Sequence, residues 1–188
     1  MIYNSSNHYF KIYLILLFLF ATFFLFQKYN NSVEWTISDW LINYQGGFTR
    51  RGLIGELIFQ LSKFLPFSIR EIILIFQLFS YLIYFFILYN FIKYLKKNWF
   101  LIFALYSPIF ILYPIAEVEV LARKEIFLFI SFLTIINIFS TNQFKYINYF
   151  YYSIIIAICC LIWEGIILYL SFFISILFLH NRFKINGK

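Results

Sequence analysis

Polar residues are sparse along this chain and fall in clumps, so the apolar runs between them are easily marked. The first run, Ile12–Phe26, lies between Lys11 and Lys28 and is extended by Tyr9 and Phe10. With those additions it approaches the roughly 20 residues of a bilayer-crossing helix. A secretory signal is the rival reading of a short run near the start. Gln27, Lys28, Tyr29 and two asparagines follow it, however, rather than a small-residue cleavage pattern. We read it as an uncleaved first transmembrane helix.

Four more runs follow. Ile72–Ile92 stops at Lys93, Lys96 and Lys97. Trp99–Ala116 is interrupted by Pro108 and Pro114, each of which removes a backbone donor and kinks a helix. Ile126–Ser140 comes next, then a linker with Lys145. The last run, Tyr149–His180, is too long for one ordinary span and is interrupted by Glu164-Gly165. Either one tilted helix buries Glu164 or two short helices meet at Gly165; the second is preferred.

Between the first two runs, residues 28–71 form the longest polar-rich stretch. Gly46-Gly47 predicts a turn, because glycine adopts positive φ freely. From Leu53 the apolar positions are Leu53, Ile54, Leu57, Ile58, Leu61, Phe64 and Leu65, with Glu56, Gln60 and Lys63 opposite. That spacing predicts an amphipathic helix lying in the membrane interface or re-entering partway. Pro66 ends it, and Ser68-Ile69-Arg70-Glu71 reads as a capping box opening the next helix. The fold class is therefore all-α: one transmembrane domain over residues 1–188, a helical bundle of about five or six spans with an interfacial helix after the first.

Composition agrees. The chain is 63% hydrophobic and 12% charged, against about 25% charged in a soluble domain. Too little polar surface is left to cover a soluble globule. Trp35, Trp40 and Trp99 sit near run ends, where amphipathic rings settle at headgroup level. The net charge of +7 belongs to Lys and Arg beside the spans, and no nucleic-acid module is present. Cys159 and Cys160 are adjacent in an apolar run and imply neither a disulfide framework nor a metal site. Orientation is nearly balanced: with the start inside and the last run split, eight basic residues fall inside and seven outside.

The candidate chemistry gathers in four places. Asp39, beside Trp40, is a hydrated or helix-capping aspartate on one reading. On the other it is a general base or metal-binding carboxylate at the membrane face. Gly46-Gly47-Phe48-Thr49-Arg50-Arg51-Gly52-Leu53 sets two arginines at a helix start, against its dipole. Anchoring to lipid headgroups explains them, and so does gripping a phosphate with guanidinium forks and backbone N–H groups. Glu117, Glu119, Arg123, Lys124 and Glu125 form either an interfacial charge ladder with a Glu119–Arg123 pair or a carboxylate set that joins Asp39 around a divalent cation. Glu164 is costly to bury, so it faces a partner, a cavity or a helix break.

An acid soon after the first span, an arginine-bearing amphipathic segment and charged loops on the same face resemble membrane glycosyltransferases of the GT-C type and polymerases of bacterial surface polysaccharides. The resemblance implies a polyprenyl-phosphate-linked sugar as partner, handled at the extracytoplasmic face of a bacterial inner membrane. It implies Asp39 as base or metal partner and Arg50 and Arg51 as the phosphate grip, while Glu117 and Glu119 match only as acids on the same face. By position rather than by resemblance, Arg123, Lys124 and Glu164 join them as candidate substrate contacts. Asp39 has no DxD or ExD neighbour. A non-enzymatic transporter or flippase component for an anionic lipid or solute is the other expectation.

Overall fold

A computed structural model describes residues 2–31, 34–93, 99–106, 121–140, 146–176 and 178. Among them every regular element is helical: α1 (Ile2–Asn30), α2 (Glu34–Leu41), α3 (Leu53–Phe64), α4 (Ile69–Lys93), α5 (Trp99–Tyr106), α6 (Ile126–Ser140) and α7 (Tyr146–Ile162), then a 3-10 turn, Glu164–Tyr169. The chain is all-α, as expected. Two helices, His8–Asn30 and Ile69–Ile92, are long and apolar enough to cross a membrane. Ile126–Ile138, Phe150–Ile162 and Glu164–Ile176 are shorter apolar helices.

The two long helices run antiparallel. Arg70 donates to the Tyr29 carbonyl at one end (2.7 Å), and Phe18 meets Phe85 edge-on midway (6.0 Å). Their inward residues, among them Leu14, Ala21 and Leu25 of α1 and Tyr81, Leu88 and Ile92 of α4, form the main core. Their outward residues are apolar too: Leu16, Phe20 and Phe23 on α1, and Ile75, Phe79, Leu82 and Phe86 on α4, stay exposed. A soluble protein buries such helices. Here only 28% and 50% of their most apolar windows are buried, which suits a hydrocarbon surround.

Helix α6 leaves the same end as α4 and runs beside it, with Tyr84 against Phe129 and Asn137 donating to the Ile87 carbonyl (3.1 Å). The long last run is split. Helix α7 ends at Ile162, Trp163 is extended (φ −146°, ψ 112°), and the turn Glu164–Tyr169 follows. The chain then reverses, because the Tyr152 and Phe173 rings lie 6.4 Å apart. A continuous helix rising 1.5 Å per residue would hold them about 30 Å apart. Phe173 also stacks on Phe132 of α6 at 4.2 Å. Glu164 is therefore at the tip of a helical hairpin.

The amphipathic helix is present as α3. Ile54, Gly55 and Ile58 are buried in a cluster with Trp40, Ile72, Ile73 and Ile162. Its apolar arc is wider than that seam, since Leu57, Leu61 and Phe64 remain exposed. The capping box is formed in both directions: Glu71 N–H donates to Ser68 Oγ (3.3 Å) and Ser68 N–H to the Glu71 carboxylate (2.6 Å).

Candidate functional site

The ends of α1, α2 and α7 and the starts of α3, α4 and α6 meet at one end of the bundle, and the charged side chains gather there. Helix α2 carries Asp39. The sequence places this residue in a loop; the structure places it in a two-turn helix. So short a helix is marginal alone. It holds because Thr36 and Trp40, one turn apart, are buried on one face with Ile37 packed beside them.

The loop 42–52 brings up the arginines. Gly47 has φ +117°, and Gly47 N–H donates to the Tyr44 carbonyl (3.0 Å). Glu56 of α3 fastens the loop by accepting from Tyr44 N–H (3.2 Å) and the Gln45 amide (2.8 Å). The amides of Gln45 and Gln60, with smaller help from Tyr44 N–H and Lys63, hold the Glu56 carboxyl below its usual range. A Cβ on Gly55 would run into the carbonyl oxygens of Ile42 and Trp40. Only glycine lets the end of α2 lie against α3, and that contact sets Asp39 over the start of α3.

The third part is the turn 121–125. Ala122 is left-handed (φ 76°), a conformation that costs an L-residue roughly 1–2 kcal/mol. Hydrogen bonds hold it there. The Ala122 carbonyl accepts from Trp40 Nε1 (2.7 Å) and Gln77 Nε2 (3.0 Å), and its N–H donates to the Tyr81 hydroxyl (3.4 Å). Lys28 of α1 donates to the Leu121 carbonyl (2.6 Å). This pinned turn aims Lys124 inward, where the side chain is wholly buried and Nζ donates to the Arg51 carbonyl (3.0 Å).

Asp39, Arg51, Lys124 and Glu164 thus come together from four segments. Arg51 Nη1 lies 3.6 Å from Asp39 Oδ1, and Nη2 lies 3.0 Å from Glu164 Oε1. These three side chains are 22%, 40% and 34% exposed, so the cluster opens to the surroundings. Burial pulls the Lys124 ammonium down to about 8; the Asp39 charge opposes the shift and Arg51 adds to it. Burial pushes the Glu125 carboxyl up, against the pull of Arg123.

The remaining expected residues divide. Arg123 pairs with Glu125 (2.6 Å); its expected partner Glu119 lies, with Glu117, outside the described residues. Arg50 does not share the position of Arg51. It is exposed, and among the described residues it makes no ion pair. Ala122, Gln77 and Tyr81 were not legible as site residues, because nothing in a sequence marks a non-glycine residue held left-handed. Trp40 had a weak signal: it lies at helical spacing from Thr36 and Ile37.

Glu117 and Glu119, expected to join Asp39 around a divalent cation, lie outside the described residues. Asp39 and Glu164 face a guanidinium, and no group of three or more His, Cys, Asp or Glu suited to a metal occurs among the described residues. What the arrangement offers is a partly exposed carboxylate oriented by a fixed cation, with a second cation buried beneath and a third, Arg50, exposed at the rim. No protein-family model matches the chain, and no curated protein sequence or solved structure does.

Proposed function

We propose that this chain is a polytopic protein of a bacterial inner membrane that transfers or polymerises polyprenyl-phosphate-linked sugars at its charged end, as the GT-C resemblance implies. The α1 and α4 pair, the α5 segment, α6 and the α7 hairpin make up the five or six passes. The two fully long helices and their exposed apolar faces support the membrane part. The observation that carries the rest is the convergence of Asp39 and Glu164 on Arg51, beside α3 and at the end of the long helices.

In this reading Asp39 is the general base. The acceptor hydroxyl oxygen bonds to the anomeric carbon, the bond from that carbon to the lipid phosphate oxygen breaks, and the hydroxyl proton passes to Asp39. Arg51 does not hold the phosphate, because two carboxylates already occupy it; it orients Asp39. The phosphate grip falls to Arg50, whose guanidinium is exposed at the loop, and charge stabilisation of the leaving phosphate is the larger catalytic term.

The test uses membranes from cells expressing the full chain, supplied with a panel of polyprenyl-phosphate-linked hexoses labelled in the sugar. Transfer of label to an acceptor is expected. Asp39→Asn is expected to slow it by ~100-fold or more, the usual contribution of a positioned base. Equal rates for the two proteins would remove Asp39 from the chemistry. Loss with Glu164→Gln alone would favour a transport path through the hairpin tip.

A further inference from the structure

At the other end of the bundle, α1 and α4 enclose a groove of about 210 Å³ that plays no part in the proposed reaction. Its floor is Leu14 and Phe85, both buried, with Phe18 edge-on to Phe85. Leu82 and Phe86 wall it and are about half exposed. Its polar residues are Lys11 and Tyr89, which lie together at one end because the helices are antiparallel. The groove therefore has direction. It spans residues 11–18 of one helix and 82–89 of the other, about 10 Å along the axis at 1.5 Å per residue, and only the end near the start of α1 offers a charge.

We infer that this groove holds one chain of an anionic phospholipid, with the lipid phosphate at Lys11. The inference rests on the membrane part of the reading above and not on the sugar chemistry. Three observations carry it. The groove opens on the exposed apolar faces of α1 and α4, where water gains nothing from entering and a hydrocarbon chain does. Lys11 lines the groove, is exposed and, among the described residues, has no carboxylate partner, so its ammonium is available to a phosphate. It also lies three residues inside the apolar segment that begins at His8, the depth from which a lysine reaches headgroup level. An acyl chain in the groove and a phosphate at Lys11 are thus satisfied by one molecule, in the leaflet opposite the Asp39–Arg51–Glu164 cluster.

Native mass spectrometry of the full chain, released from detergent with phosphatidylglycerol or phosphatidylcholine of matched acyl chains, tests this. The expected result is one retained phosphatidylglycerol, preferred several-fold over phosphatidylcholine. Lys11→Gln should abolish the preference while leaving weak binding of both lipids. Leu82→Trp, which fills the groove from an exposed position, should lower retention of both while leaving Lys11 in place. Equal retention of the two lipids by the unaltered chain, a preference that survives Lys11→Gln, or retention unchanged by Leu82→Trp would each overturn the inference. None of these results depends on sugar transfer, so failure here and failure of the Asp39 assay are separable.

Discussion

Lys124 is the residue whose environment has the clearest thermodynamic consequence. Its proton leaves at about pH 8 in the folded chain and near the ordinary lysine value of 10.5 in the unfolded one. Between those values the unfolded state binds more protons, so stability rises with pH across that window. The gain is at most ~3.5 kcal/mol, since a unit of pKa difference is about 1.4 kcal/mol. Thermal melts of Lys124→Met in detergent are expected to be flatter than wild type between pH 8 and 10.5. Parallel curves would show that the ammonium is not held in a dry place. Arg51 behaves differently. Its side chain is 40% exposed, so loss of its ion pairs costs stability modestly, under ~1 kcal/mol in screened surroundings. Arg51→Gln should therefore depress transfer far more than it depresses melting. Equal loss of both would make it a structural residue only. Asp39, Arg51, Lys124 and Glu164 were all readable as candidates because charges are rare in this sequence. Their pairing was not, because contacts such as Arg51 with Glu164 and Lys124 with Arg51 join distant segments and are a property of the packed chain.

At the scale of elements, two backbone positions decide the site. Gly55 lets α2 cross α3. Gly55→Ala would force these segments apart and is expected to cost ~1–3 kcal/mol by overpacking, with Asp39 displaced and transfer reduced. An unchanged melting temperature would mean α2 does not rest there. Ala122 carries the opposite expectation. Its left-handed backbone is strained for alanine, so Ala122→Gly should relieve roughly 1 kcal/mol and raise the melting temperature. A fall would show that the turn is not left-handed. The apolar spacing located α3 and its end at Pro66, and the polar signals located the capping box at Ser68 and the break at Glu164. Helix α2 escaped because two turns of helix leave too short a periodic trace, and its stability comes from Trp40 packed on other elements.

At the scale of the molecule, apolar run length predicts more crossings than the described helices display at full span length. The run Trp99–Ala116 with its two prolines lies outside the described residues beyond Tyr106, while α6 and the two arms of the α7 hairpin are short apolar helices. The ends of α1 and α7 and the starts of α4 and α6 share one face, which groups Lys28, Arg51, Arg70 and Lys124 together. A near-even distribution of basic residues hides this face from any count along the sequence. At that face Asp39 and Glu164 flank one guanidinium, that of Arg51. The most direct test of this arrangement is cross-linking of the pair Asp39→Cys and Glu164→Cys by a short bifunctional thiol reagent in membranes, in a chain with Cys159→Ala and Cys160→Ala. An intramolecular cross-link is expected for this pair and none for Lys11→Cys with Glu164→Cys. Thiols at 39 and 164 that each label singly but never cross-link would contradict the arrangement.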